Sequence, residues 1–226
     1  MKITQSLLVL SVLAVVTIQA RSDSIPGLFN TGVISQTPLI LNTEGNIDPH
    51  YTLVQSPDLT FPGPASYVVI TTGGFFCCWI PNGPDSQWIS ARPDTWIPNS
   101  SVSPGGQYDY QIAFDLTGFN PSTASITGQW ATDNNGGPIL LNGVSTGLTT
   151  GFTDFSFWTP FTISSGFVAG LNTLDFPVSN GCCSPTGLRV EFLSSTVTPV
   201  PEPSSLLLLG SGAFGLLGVA WRKVRS

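Results

Sequence analysis

The chain has 226 residues, of which thirteen are acidic and only seven are lysine or arginine, so its formal net charge is −6. Away from the two termini the imbalance is larger, because only Arg92 and Arg189 accompany the twelve acidic residues between Asp23 and Glu191. Nucleic acids and anionic membrane surfaces are bound through basic fields, so the composition argues against both as partners of the body. It suits cation binding or simple solubility.

The first twenty residues have the layout of a secretory signal peptide. Lys2 gives a positive start, residues 7–18 form an apolar run, and the chain becomes polar after Ala20. That run is short for a membrane span, which takes roughly 20 apolar residues. We therefore expect cleavage after Ala20 and export of the body. An uncleaved N-terminal anchor is the alternative.

The body, residues 21–195, predicts a single all-β domain. Glycine, proline, serine, threonine and asparagine interrupt it at short intervals, and no helical periodicity is convincing. In the clearest strand, five apolar residues share one side: Tyr108, Tyr110, Ile112, Phe114 and Leu116. Further β-type runs are 67–71, 124–131, 139–141, 161–163, 174–178 and 188–192. The pair Asn142-Gly143 is typical of a hairpin turn. Many short strands between turns predict a β-sandwich, or jelly roll.

The order of short motifs across residues 75–194 resembles the galactose-binding-like jelly roll of carbohydrate-binding modules. The motifs that carry this resemblance are 87–90, 114–116, 124–128, 141–144, 161–163, 170–174 and 187–190. The resemblance implies a β-sandwich that is an accessory binding domain rather than a catalytic one. The Asn-Gly turn and the Gly-x-Asn-x-Leu strand entry at 170–174 are structural positions in that family, so they support the fold more than a ligand.

The C-terminus predicts a linker followed by a membrane helix. Residues 196–203 are rich in threonine and proline, and residues 206–221 are apolar except for Ser211. At about 1.5 Å per residue such a helix reaches roughly 24 Å, so residues 204–226 form a short transmembrane helix and tail. Three cations follow it: Arg222, Lys223 and Arg225. The positive-inside rule places them in the cytoplasm and the body outside.

Pro201, Glu202 and Pro203, followed by one apolar helix and a basic end, resemble the PEP-CTERM sorting domain. The resemblance covers about 26 residues, and the order, spacing and terminal position carry it. It implies recognition by an exosortase, a membrane-embedded protease, with cleavage near the motif. It also implies a Gram-negative host that makes extracellular polysaccharide. A plain tail anchor is the alternative.

The four cysteines form two vicinal pairs, Cys77-Cys78 and Cys182-Cys183. An exported protein meets an oxidising compartment, so we expect disulfides, and four cysteines allow three connectivities. Two bonds between the pairs are favoured, since a bond between neighbours closes a strained ring. A zinc site made of all four is the alternative, although zinc ligands are normally spaced as C-x₂-C.

Residues 133–137 are the candidate metal loop. Asp133 and Asn134 offer oxygen ligands on a turn, and calcium takes six to eight oxygens. The spacing does not match an EF-hand, and a plain β-turn is the alternative. We expect no other cofactor.

The aromatic residues are the candidates for sugar binding. Trp88 and Trp130 lie in patterned strands and are predicted core residues. Three other tryptophans lie near proline-rich turns and are predicted at the rim of the domain, where an aromatic face can stack on a sugar: Trp79, Trp96 and Trp158. Arg92 and Asp94 lie beside one of them and are expected to hydrogen-bond sugar hydroxyls. Solvated loop charges are the alternative.

Candidate catalytic side chains are scarce, and we predict that the chain is not an enzyme. His50 is the single histidine, and no spacing marks the two carboxylates that a glycosidase needs. The sequence therefore predicts an exported, exosortase-sorted cell-envelope or matrix protein whose domain contacts glycan. The alternatives are a purely structural or adhesive surface protein and, less favoured, a hydrolase. Expected partners are the exosortase, the inner membrane and extracellular polysaccharide.

Overall fold

A computed structural model describes residues 22–72, 78–97, 103–181 and 185–200, together with Gly212. The predicted signal peptide, the Pro-Glu-Pro motif and the basic tail fall outside these residues, and so does the predicted membrane helix except for Gly212. So do three of the four cysteines: Cys77, Cys182 and Cys183. In the part of the chain that is described, no helix has the length and apolar character that a membrane crossing needs.

The described body, Ser22–Val200, is built from strands and loops. Its strands are β1 (Val33–Gln36), β2 (Leu39–Leu41), β3 (Ile47–Gln55), β4 (Ala65–Val68), β5 (Ile89–Ser90), β6 (Gly106–Asp115), β7 (Phe119–Asp133), β8 (Asn135–Gly136), β9 (Leu140–Leu141), β10 (Val144–Ser145), β11 (Thr159–Ile163), β12 (Leu171–Asn180) and β13 (Gly187–Pro199).

The described strands form one large sheet and one small one. The large sheet follows the order β10-β9-β12-β6-β3-β4-β5-β13-β7-β11, and β8 also pairs with β12. The small sheet consists of β1 and β2 alone. All of these described pairings are antiparallel.

The alternation predicted in residues 108–116 is confirmed in β6. The five apolar side chains of the predicted strand face are at most 2 % exposed, and Gln111 and Ala113 between them lie on the other side. Successive strand residues point to opposite faces of a sheet, so this pattern places one side of β6 against the core. The hairpin turn is also confirmed, since Asn142 and Gly143 both have positive φ, 53° and 76°, between the paired strands β9 and β10.

The sheet curls until its two halves pack against each other. Phe176 of β12 is fully buried, and its ring centroid lies 5.7 Å from that of Trp130 in β7 and 6.3 Å from that of Phe161 in β11. β12 lies near one end of the hydrogen-bonded order, whereas β7 and β11 lie at the other end. Contact between these rings requires face-to-face packing of the two halves. The all-β prediction is confirmed, and the curled sheet is consistent with the predicted β-sandwich.

A second apolar cluster covers the opposite face of β7. It contains Trp79, Trp88 and Ala131, and the ring centroids of the two tryptophans are 4.2 Å apart. Trp130 and Ala131 are neighbours on one strand, so one enters the core and the other enters this cluster. The core positions predicted for Trp88 and Trp130 are confirmed, because both are fully buried.

One boundary differs from the sequence predictions, and three strands were not predicted. β13 continues to Pro199, where it pairs with Phe119, and the backbone N–H of Val200 donates to the carbonyl oxygen of Gly118 at 2.9 Å. Residues 196–199 of the predicted linker are therefore part of the sheet. Residues 33–55 form three strands that the sequence analysis did not identify, because turns and prolines interrupt their alternation.

Candidate functional site

The structure corrects the position expected for Trp79. This side chain is only 4 % exposed, and its indole N–H donates to Oδ2 of Asp133 at 2.7 Å. The ring of Trp96 lies edge-on to it, with centroids 5.1 Å apart. Loop packing on the outer face of the sheet therefore buries Trp79, and its ring offers no face to a sugar.

The other predicted rim residues are tied into ion pairs and stacks. Trp158 and Trp96 are half-buried, and the guanidinium of Arg189 lies 4.7 Å from the ring centroid of Trp158. Arg92 is buried, with its guanidinium 3.4 Å from the Asp58 carboxylate and 2.7 Å from that of Asp94. The surface position expected for Arg92 is wrong, because its side chain is buried and its guanidinium pairs with two carboxylates.

The predicted metal loop uses its oxygens in internal hydrogen bonds. Oδ1 of Asp133 accepts from the side-chain amide of Asn134, whose own oxygen accepts the backbone N–H of Gly181 at 2.8 Å. Burial raises the pKa of Asp133 to about 6, opposed by hydrogen bonds from Trp79 and Asn134. Among the described residues no three histidine, cysteine, aspartate or glutamate side chains cluster as metal ligands. Calcium at this loop stays a prediction.

His50 is part of an aromatic stack. Its ring lies parallel to that of Phe29, with centroids 3.5 Å apart and an interplanar angle of 1°. Its Nε2 lies 3.0 Å from the carbonyl oxygen of Ile34, and since a carbonyl only accepts, this nitrogen carries the proton. The backbone of Phe29 is held in turn, because its carbonyl oxygen accepts the Tyr51 hydroxyl at 2.9 Å.

The Phe29 side of this stack lies between two adjoining cavities. The larger cavity has a volume of about 490 Å³ and the smaller about 230 Å³, and both are lined by Gly27 and Phe29. Besides these two, the larger cavity is lined by Ser24, Ile25, Pro26, Leu28, Ser35, Gln36, Thr37, Phe192, Ser194 and Ser195. The smaller one reaches Pro49, His50, Thr52, Gln111, Ile112 and Ala113. We call the combined surface the Phe29 groove.

The groove lies between β13 and the N-terminal segment 22–31, which runs antiparallel beside it. Asp23 forms a β-bridge with Val197, and the backbone N–H of Ile25 donates to the Ser195 hydroxyl at 3.0 Å. The strand register shifts between Phe192 and Ser194. This shift lies in the pairing of β13 with β7, and such a bulge bends a strand and unpairs a residue, here beside the groove.

Gly27 lets the N-terminal segment pass close to β6. Its φ is +82°, and a Cβ there would lie 3.3 Å from the Cβ of Phe114. Glycine adopts positive φ without the steric cost that other residues meet, so the turn before Phe29 depends on it. No motif in the sequence predicted the groove. The one local signal was the serine pair at 194–195, which ends the clean alternation of residues 188–192.

The chain is similar to solved structures and matches the model of one family motif. The structure of CBM35 from Paenibacillus barcinonensis is 16 % identical to this chain, with a TM-score of 0.32, and the match covers 64 % of this chain and 92 % of that chain. No curated protein matches the chain.

The family model of the PEP-CTERM protein-sorting motif matches residues 199–225. The match includes Pro201, Glu202 and Pro203, so it confirms the resemblance seen in the sequence. This motif implies export, membrane-associated sorting and processing by an exosortase. The match begins at Pro199, where β13 ends. The chain therefore carries a PEP-CTERM sorting motif whose first residue is the last residue of β13.

Proposed function

We propose that this chain is an exported cell-envelope protein that an exosortase sorts through residues 199–225. Its β-sandwich then acts outside the cytoplasm as a non-catalytic domain in contact with extracellular polysaccharide. The observation that carries the proposal is the sorting motif, which starts at Pro199, the last residue of β13. The N-terminal signal and the cytoplasmic basic tail predicted from sequence give the same topology.

The charges of the body disfavour polyanions as its partners. Arg92 and Arg189 are the cationic side chains of the described body, at 5 % and 2 % exposure, and both are in ion pairs with carboxylates. The described surface thus presents acidic groups without exposed arginine or lysine. Repulsion between like charges disfavours nucleic acids and acidic polymers as ligands.

The test is the fate of a sorting-motif variant in an exosortase-bearing host. We expect the wild-type chain to be processed to a shorter form that leaves the membrane fraction. The triple variant Pro201→Ala, Glu202→Ala, Pro203→Ala should stay at full length in the membrane. A double Ser204→Ala, Ser205→Ala variant next to the motif is the matched control. Equal processing of the triple variant and the control would rule the proposal out.

A second candidate function, self-association of an adhesive surface protein, is favoured by the β1–β2 hairpin. Its apolar side chains are unusually exposed, at 50 % for Ile34 and 46 % for Ile40, with Ile47 beside it at 55 %. Among the described strands β2 pairs only with β1, so its outer edge can pair with an edge of a second copy. Residues 33–43 carry no charged side chain, so two such edges do not repel each other.

Sedimentation velocity of the exported chain at increasing concentration tests this candidate. We expect dimers that disappear in Ile40→Lys, because an edge lysine blocks strand pairing. Val144→Lys, at a residue that is 70 % exposed in β10 of the large sheet, should leave the dimer intact. A monomer at every concentration would remove this candidate.

A further inference from the structure

We propose that the Phe29 groove is the glycan-binding site of this domain and that it takes a neutral oligosaccharide segment. The inference rests on the proposed role in the polysaccharide layer, and it replaces the tryptophan rim as the contact surface. The larger of the two cavities, at about 490 Å³, falls in the range of about 300 to 1,000 Å³ that is typical of ligand sites.

The groove offers hydroxyl and amide groups that match sugar hydroxyls. Ser24, Ser35 and Thr37 line it, and their hydroxyls make no hydrogen bond within the described part of the chain. Gln36 uses its side-chain oxygen to accept the backbone N–H of Asn30 at 3.2 Å, so its NH₂ group is oriented to donate. A hydroxyl both donates and accepts, and a sugar presents the same pair of functions along its rim.

The groove also has the apolar wall that a sugar ring needs. Phe29 is fixed by its parallel stack on His50 and by the hydrogen bond from Tyr51 to its carbonyl oxygen. Phe192 and Pro26 extend the apolar surface in the larger cavity. Sites for small ligands combine such a rigid aromatic surface with a few polar groups that set orientation, and the C–H face of a pyranose packs on aromatic carbon.

The charge around the groove selects a neutral ligand. His50 is the one ionisable side chain among the residues that line the two cavities. Binding of a uronic acid or a phosphate favours an arginine or lysine at the site, and both arginines of the described body are buried in ion pairs elsewhere. An acidic polymer would also meet the negative field of the body.

Affinity electrophoresis of the full-length chain in detergent tests the site. Gels contain dextran, mannan or xylan as neutral probes and alginate as the acidic probe. We expect saturable retardation by at least one neutral probe and none by alginate. Phe29→Ala should weaken binding of the neutral probe about tenfold or more. Thr37→Arg should do the same, because it places a long side chain over the cavity from an exposed position. Phe157→Ala, at an exposed phenylalanine outside the groove, is the matched control.

Three results would overturn the inference. The first is no retardation by any neutral probe when thermal melting shows a folded domain. The second is retardation by alginate alone. The third is binding that survives Phe29→Ala and Thr37→Arg but is lost in Trp96→Ala or Trp158→Ala, which would return the site to the tryptophans. Sorting is read by processing and fractionation, so its failure is separate from a failure of binding.

Discussion

Removal of the Phe176 ring is the strongest test of the curled sheet. Phe176 is fully buried, and its ring packs against Trp130, Phe161 and Tyr51 with centroids 5.7, 6.3 and 6.4 Å away. Truncation of a buried phenylalanine to alanine costs about 3–5 kcal/mol. Since the free energy of unfolding of a domain is about 5–15 kcal/mol, we expect Phe176→Ala to remove about a fifth of the stability or more.

Urea denaturation of residues 22–200, followed by tryptophan fluorescence, measures the loss. With a slope of about 1–3 kcal/mol per molar urea, the midpoint should fall by at least about 1 M. Phe152→Ala is the matched control, because this phenylalanine is 60 % exposed and should change stability by about 0.5 kcal/mol or less. Equal losses in the two variants would refute face-to-face packing of the two halves.

A double-mutant cycle with Phe161→Ala locates the packing. Phe161 belongs to β11 and Phe176 to β12, and these strands do not pair. Residues in contact couple by about 0.5–3 kcal/mol, whereas distant ones add independently. Additive losses would place the two rings apart and contradict the fold.

Three further predictions use the same denaturation assay. Arg189→Ala should cost about 3–5 kcal/mol, because it leaves the Glu191 carboxylate without its ion-pair partner at 3.3 Å, and adding Glu191→Gln should restore part of the loss; no restoration would contradict the pair. Gly128→Ala should cost about 1–3 kcal/mol, because its Cβ would lie 2.6 Å from the carbonyl oxygen of Glu191, and an unchanged midpoint would contradict that approach. Burial and the nearby Asp175 carboxylate raise the pKa of Asp109 to about 6. Between about pH 4 and 6 the folded state therefore keeps a proton on Asp109 that the unfolded chain has released. The contribution of Asp109 to the free energy of unfolding is full below about pH 4 and is lost as the pH rises through 6. Asp109→Asn should flatten that fall in the free energy of unfolding between pH 4 and 7, and an unchanged pH profile would contradict the raised pKa.

Local patterns in the sequence were enough for the strands with clean alternation. The face of β6, the core positions of Trp88 and Trp130 and the turn at Asn142 all follow from neighbours within a few residues. The sorting motif is likewise a contiguous segment. In each case the physics acts over a short stretch of chain, because side-chain alternation and turn conformation are set by adjacent residues.

Contacts between distant segments were decided only by the tertiary structure. The indole of Trp79 donates a hydrogen bond to Asp133, and the guanidinium of Arg92 pairs with Asp58. These partners lie 54 and 34 residues away along the chain. A threonine-rich stretch such as 196–199 suits a linker or a strand equally, and its pairing with β7 determines which one forms. The Phe29 groove needs residues 24–37 beside residues 192–195. The sequence by itself determined the sorting motif and the strand faces, whereas burial, ion pairing and the groove required the fold to bring separated segments together.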